Sequence, residues 1–229
     1  MAIVKLSWSG GKDSTCAAVL HLERGDLLKC VCYVPMFDEE IPLITREHFD
    51  FINSAKEKLE AMGGKVYIIN GKTYVDYVLT RTRRGKFAGL IYGFPAPFTG
   101  MCGFKRDSKA KAINSFDVGY YEYLSLGIAA DETARLSQLN ENKRSILVDL
   151  GITEAQTYDI IRPLGLLSPH YSTHTRDGCA LCYNAKKGEL EKWLSDYPEA
   201  RQRLVELQNY CKEHRPDRAP LRGKKWFDI

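Results

Sequence analysis

The chain has 229 residues, 44% hydrophobic and 27% charged, with a formal net charge of +4 and a pI near 8.6. This suits one compact α/β domain with a small appendage; the mild basicity fits an anionic small substrate, and it allows nucleic acid as a partner without indicating it. No apolar run approaches the roughly 18 to 20 residues of a membrane span and no signal peptide opens the chain, so no membrane partner is expected and the expected compartment is the cytoplasm.

The first element is an apolar strand that breaks at Trp8 into Ser9-Gly10-Gly11-Lys12-Asp13-Ser14 and continues as a helix from Lys12 to about Glu23. Cys16, Val19, Leu20 and Leu22 recur there at helical spacing, and Arg24-Gly25-Asp26 ends the run. Paired glycines let main-chain N–H groups converge on an anion, and the helix start adds unsatisfied N–H groups and the positive end of its dipole. The segment therefore reads as a phosphate loop. It is not a Walker A loop, because Asp13 follows Gly11-Lys12 and Leu6 stands where the first glycine is required.

Leu28 to Met36 reads as a buried strand with Cys30 and Cys32 as packing residues. Phe37-Asp38-Glu39-Glu40 then forms a loop at its carboxyl end, which either touches ribose or adenine or is simply solvated. Thr45 to Met62 is a helix with Thr45 as N-cap and Gly63-Gly64 as its end, and Lys65 to Asn70 is the third strand. Tyr74 to Thr80 reads as a helix. The basic stretch Arg81 to Lys86, either a solvated face or an anion clamp, leads through the Gly/Pro/aromatic-rich loop 89–103 to Cys102. Lys105 to Ser115 reads as helix and Tyr120 to Leu126 as strand, followed by a second loop that carries Asp131, Glu132 and Arg135. Lys186 to Leu194, with Trp193 inward, and Pro198 to Lys212 are late helices, and Arg215 to Lys225 reads as a basic surface strap.

Strands alternating with helices predict an α/β fold: a doubly wound, mostly parallel sheet with helices on both faces, and a small C-terminal Cys-containing helical extension. The expected division is a nucleotide-binding domain over 1–165 and, over 166–229, a CxxC loop and helical extension packed on it.

Ser9-Gly10-Gly11-Lys12-Asp13-Ser14 resembles the PP-loop signature of the ATP pyrophosphatase, or adenine nucleotide alpha hydrolase-like (HUP), superfamily. Together with Cys102-Gly-Phe-Lys105, the loop holding Asp131, Glu132 and Arg135, and Tyr171 followed by Arg176-Asp-Gly-Cys179-Ala-Leu-Cys182, it resembles the 3'-phosphoadenylylsulfate (PAPS) reductase family. The resemblance implies that Ser9, Gly10, Gly11, Asp13, Ser14 and Lys105 bind ATP or a PAPS-like adenine nucleotide, with Asp131, Glu132 and Arg135 as a second wall. It implies Asp13 as the Mg²⁺ residue, and Asp13, Lys12 and Asp131 as the catalytic set. Lys12 stands at a variable family position, either neutralising phosphate charge or pointing to solvent. The implied activity is adenylation with pyrophosphate release, in sulfur transfer or sulfur metabolism, with a sulfur donor or a thiol reductant protein as partner.

Two alternatives stand beside it: a thiol-dependent PAPS or adenylylsulfate reductase, and a nucleotide-binding subunit of a nucleic-acid modification system. The sequence departs from the reductases, which carry a Glu-Cys-Gly-Leu-His tail; Cys211 is the only late cysteine, and Ala129 replaces the arginine of their second motif.

Seven cysteines in a reducing compartment are thiols, metal ligands or redox groups before they are disulfides. Cys102, Cys179 and Cys182 leave three readings open: a Zn²⁺ site completed by His174 or His170, a 4Fe–4S cluster with one open iron, or reduced thiols in a packed corner.

Overall fold

A computed structural model describes residues 1–95, 102–172, 178–182, 185 and 188–216. The chain packs as two compact units interleaved in sequence: Met1–Val34, Glu47–Ile69 and Ser115–Asp177 form the first, and Pro35–Arg46, Asn70–Asn114 and Gly178–Ile229 the second. The second thus joins the late cysteine-bearing segment of the chain to two earlier stretches.

The first unit is built on five parallel strands, β1 (Ile3–Trp8), β2 (Leu27–Tyr33), β3 (Lys65–Ile69), β4 (Tyr123–Leu126) and β5 (Lys143–Arg144), in the order β3-β2-β1-β4-β5. With helices between its strands this is a Rossmann-like α/β fold, the doubly wound sheet expected. β1 is central, with Val4 aligned on Leu28 of β2 and on Tyr123 of β4. Val4, Leu6 and Trp8 are fully buried, as is usual for a parallel strand covered on both faces. Even Lys5 is only 2% exposed; its ammonium reaches the Phe116 carbonyl at 2.8 Å, and burial holds its pKa below the ordinary lysine range.

The helices of the first unit are α1 (Lys12–Glu23) and α2 (Arg46–Ala61, whose first residue belongs to the other unit), then short α5 (Thr133–Leu136) and α6 (Ile146–Asp149), and α7 (Glu154–Ile161). α1 and α2 fall where periodicity puts them. β4 is shorter than expected, because Tyr120 and Tyr121 lie exposed ahead of it and pairing begins at Tyr123. β5, α5, α6 and α7 answer to no element read from the sequence. The signal for α7 was present: Thr153 accepts from the Gln156 amide while the Gln156 side chain accepts from Thr153 N–H, a capping box legible as Thr-x-x-Gln.

A buried polar cluster closes the C-terminal end of α1. Asp26 accepts from Arg24 and from the Ala2 amide, and it lies 2.8 Å from His21 Nδ1, while His21 Nε2 lies 2.9 Å from the Ser125 hydroxyl. A carboxylate can only accept, so Nδ1 carries the histidine proton and Ser125 donates to Nε2. Burial works to raise the Asp26 carboxyl, yet the hydrogen bonds from His21, Arg24 and Ala2 outweigh it and pull it down to about 2. Burial also holds His21 below the usual histidine range.

Both shifts have the same sign for stability. Each group binds its proton more weakly folded than unfolded, so its contribution is complete above the unfolded pKa and is lost as pH falls through the folded one. For Asp26 the loss runs from about pH 4 down to about 2 and amounts to roughly 2 kcal/mol. Asp26→Asn should abolish that part of the acid melting profile, which melting temperatures measured from pH 6 to 2 will read.

The second unit contains α3 (Tyr74–Leu79), a π-helical segment (Lys105–Ala110) running into α4 (Lys111–Ser115, whose last residue belongs to the first unit), α8 (Glu189–Asp196) and α9 (Glu199–His214). Its core gathers Phe37, Tyr74, Tyr77, Phe104, Trp193 and Leu204 among others, with Cys102 and Cys179 packed against the edge. Trp193 is inward as expected and donates through Nε1 to the Pro42 carbonyl at 2.8 Å. Cys30 and Cys32 in β2 of the first unit are fully buried packing residues.

Candidate functional site

The phosphate-loop candidate connects β1 to α1. Gly10 has φ +75°, and a Cβ there would lie 2.6 Å from Ile52 Cγ1, so both backbone conformation and space require glycine. The main-chain N–H groups of Ser9, Gly11 and Lys12 point at hydroxyl oxygens: Ser14 Oγ at 3.2 Å, Ser9 Oγ at 3.3 Å and Tyr171 Oη at 3.1 Å. These bonds are long, and an oxygen acceptor of higher charge would displace them readily. Ser14 in turn donates to the Gly11 carbonyl at 3.1 Å, and Trp8 donates through Nε1 to Thr15 Oγ1 at 2.9 Å. The loop is thereby held to the first turn of the helix.

β4 leaves the sheet beside β1, and its exit is Gly127. A Cβ at this position would meet Ser14 N at 2.6 Å, Ser14 Cα at 2.7 Å and the Asp13 carbonyl carbon at 2.9 Å. The backbones of the two loops therefore touch. Since β2 and β3 lie on one side of β1 and β4 and β5 on the other, this contact is the topological switch point, where open α/β sheets leave a crevice outside the carboxyl ends of their strands.

Lys12 does not reach solvent. Its side chain is 7% exposed, and its ammonium bridges Asp13 Oδ1 at 2.6 Å and Glu154 Oε1 at 2.8 Å, with the Tyr158 ring centroid 5.5 Å away. The reading of Lys12 as a solvent-facing residue is thus corrected: two carboxylates draw the ammonium inward. Burial opposes the Lys12 charge, but the hydrogen bonds to Asp13 and Glu154 prevail and raise its pKa. Burial pushes the Asp13 carboxyl up, more than Lys12 lowers it, and Glu154 and Glu132 act in the same upward direction. Thr157 Oγ1 completes the cluster, 3.2 Å from Asp13 Oδ1.

The second loop holds itself. Glu132 Oε2 accepts from the Ala129 amide at 3.0 Å, and Arg135 pairs with Glu132 at 2.7 Å. Asp131 Oδ1 accepts from the Glu154 amide at 2.9 Å. Asp131 and Lys12 are therefore linked through one residue, Glu154, which sequence reasoning missed along with Thr157 and Gly127; the capping box starting at Thr153 was the clue to the first two.

Behind the loop, His48 Nε2 lies 3.3 Å from the Ser9 carbonyl and Nδ1 lies 3.0 Å from Ser168 Oγ. The rings of His48 and His170 are 5.5 Å apart, and both are buried.

Lys105, Cys102, Cys179 and Cys182 belong to the second unit. The three cysteines are half-buried and reduced. Cys102 accepts main-chain hydrogen bonds from Phe104 and Lys105, and Cys182 lies close enough for its charge to act on Cys102; burial nonetheless raises the Cys102 thiol. Among the described residues, no three or more His, Cys, Asp or Glu side chains are gathered as metal ligands. His174, Arg176 and Asp177 lie outside the described residues, as does the basic strap beyond Pro216.

Cys211 is 5% exposed, and burial pushes its thiol up to about 12. Asp38 caps its own turn through the Glu40 and Ile41 amides and pairs with Arg203 at 2.5 Å, while Glu39 and Glu40 beside it are exposed. No helix among the described residues is long and apolar enough to cross a membrane.

No protein-family model matches the chain, and no curated protein matches it significantly.

Proposed function

We propose that the first unit binds ATP, or a related adenylyl nucleotide such as PAPS, and that the chain is a PP-loop enzyme similar to the PAPS reductase family. It transfers the adenylyl group to an acceptor and releases pyrophosphate, in sulfur transfer or sulfur metabolism. The observation that carries this reading is the contact of the Ser9–Ser14 loop with the loop after β4 at the switch point, where Gly127 leaves no room for a side chain.

In this reading the amides of Ser9, Gly11 and Lys12 exchange their hydroxyl acceptors for phosphate oxygens and stabilise the charge that grows on the departing pyrophosphate. Lys12 supplies positive charge from inside the loop. It bridges two carboxylates, and Asp13, beside the loop, is the hard oxygen ligand that fits Mg²⁺; the ion, when bound, would neutralise phosphate charge. Asp131 fixes the start of α7 and with it the Glu154 carboxylate that sets the Lys12 position. Cys102, Cys179 and Cys182 have the donor chemistry of a thiophilic centre, zinc or iron–sulfur, but they are not gathered as a ligand group among the described residues, so no step is assigned to a metal there.

The buried, high-pKa Cys211 argues against a thiol-dependent reductase with that nucleophile, since the thiolate is the reactive form. The test is pyrophosphate release from ATP with Mg²⁺ and candidate sulfur-containing acceptors. Asp13→Asn should lower it by about 100-fold. A protein that binds neither ATP nor PAPS overturns the proposal, and sulfite release from PAPS that depends on Cys211 would replace it with the reductase.

A further inference from the structure

In the second unit the chain reverses direction between Thr80 and Tyr92. Tyr92 N–H donates to the Thr80 carbonyl at 2.7 Å, Thr82 N–H to the Leu90 carbonyl at 2.8 Å and Gly89 N–H to the Thr82 carbonyl at 2.8 Å, with Arg81 bridged antiparallel to Ile91. The Arg81 guanidinium also donates to the Gly89 carbonyl at 2.7 Å, across the neck of the turn. The product is a short arm on which every residue from Arg83 to Leu90 is exposed.

The charge of this arm is one-sided. From Asn70 to Phe94 the basic residues are Lys72, Arg81, Arg83, Arg84 and Lys86, and the acidic one is Asp76, so this stretch carries a net +4, as much as the whole chain. Asp76 is engaged locally, accepting from the Thr73 hydroxyl at 2.8 Å. Among the described residues, the side chains of Arg83 and Arg84 make no ion pair, hydrogen bond or ring contact. Like charges crowded without an internal partner repel one another, and an anion from outside relieves that cost.

An aromatic ring stands among these cations. Phe87 is 40% exposed, with the Arg215 guanidinium 4.6 Å and the Lys86 ammonium 5.8 Å from its centroid. Arg215 is itself buried and donates to the Ile91 carbonyl, so it pins the ring to the arm. Guanidinium groups recognise phosphate oxygens, and a fixed, half-open aromatic ring stacks a base that is not already stacked in a duplex. An acidic protein surface would use the charges and leave the ring idle. A lipid surface calls for a broader apolar face than Phe87 and Leu90 supply.

We propose that this arm binds single-stranded nucleic acid, with Arg83, Arg84 and Lys86 on phosphates and Phe87 against a base. The inference goes beyond the nucleotide reading of the first unit and does not depend on it.

The experiment titrates the full chain with labelled single strands of DNA and of RNA about 16 nucleotides long. The DNA duplex of the same sequence, polyglutamate, and vesicles of phosphatidylcholine and phosphatidylserine are titrated beside them. Single strands should bind, with affinity falling roughly 20-fold between about 50 and 200 mM salt, as three phosphate contacts require. Arg83→Ser combined with Arg84→Ser should cut that fall to about 3-fold and melt like the wild type, since neither side chain has a partner to lose. Phe87→Leu keeps the apolar packing and removes the stacking ring, so it should bind roughly 10-fold more weakly with the salt dependence unchanged. Binding of either strand in this pattern bears the proposal out, and the tighter of the two names its source. A wild type that binds neither strand would overturn it, as would single-strand binding that neither variant weakens. Duplex or polyglutamate bound as tightly as the single strands, or vesicles bound in their place, would overturn it too.

Discussion

Gly127→Ala should lower stability by on the order of 3 kcal/mol, or about 6 to 12 °C in melting temperature, and should abolish nucleotide binding at the same time. The added methyl would meet Ser14 N at 2.6 Å, Ser14 Cα at 2.7 Å and the Asp13 carbonyl carbon at 2.9 Å. All three are main-chain atoms, so no rotamer change relieves the clash. Relief requires the first turn of α1 to move away from the end of β4, and that turn carries Lys12, Asp13 and Ser14. Coupled loss of stability and ATP affinity, read by calorimetry and by equilibrium binding, is the expected result. A variant that melts like the wild type would show that the two loops are not in contact.

The second large effect is expected at Lys12. Replacing it by methionine keeps the buried stem but leaves Asp13 and Glu154 facing each other without the ammonium that bridges them at 2.6 and 2.8 Å. Removing one partner of a buried ion pair typically costs about 3 to 5 kcal/mol, and the lower end applies because the Glu154 side chain is 49% exposed. Lys12→Met should therefore cost about 3 kcal/mol at pH 7, and adding Asp13→Asn should return more than half of it, a coupling that a double-mutant cycle measures.

The pH dependence follows from the same charges. Asp13 already binds its proton more tightly folded than unfolded, and loss of Lys12 strengthens that preference. A raised folded pKa favours the folded state at low pH, so the deficit of Lys12→Met should shrink as pH falls toward about 4. Denaturant melts at pH 7 and pH 4.5 decide it. A deficit that stays constant would mean that Asp13 carries no unbalanced charge.

The parallel sheet, the phosphate-loop candidate and the main helices were legible because each rests on local information. An apolar run ending in Gly10-Gly11 specifies a strand and a turn within a few residues, and helical spacing from Lys12 to Glu23 specifies the helix that follows. The paired signals of loop and helix start made the candidate anion site readable before any contact was known. Sequence also singled out Asp131, Glu132 and Arg135 as one loop, since they are neighbours along the chain.

Spatial relations among distant residues were not readable in this way. Nothing in the spacing says that Lys12 turns inward to Glu154, 142 positions away, or that Gly127 abuts the backbone of Ser14. β5, α5 and α6 were missed because they are short: β5 has two residues and the two helices four each, too few for a period to register, whereas α7 has eight and its start was signalled by the Thr153 capping box. Tyr74 is likewise an aromatic core residue to any reading of pattern, and that its hydroxyl has no partner among the described residues is decided only once α3 has packed on Phe104. Local backbone preference and periodicity are properties of neighbours in the chain. Charge pairing, steric exclusion and hydrogen-bond satisfaction are sums over neighbours in space, which folding alone creates.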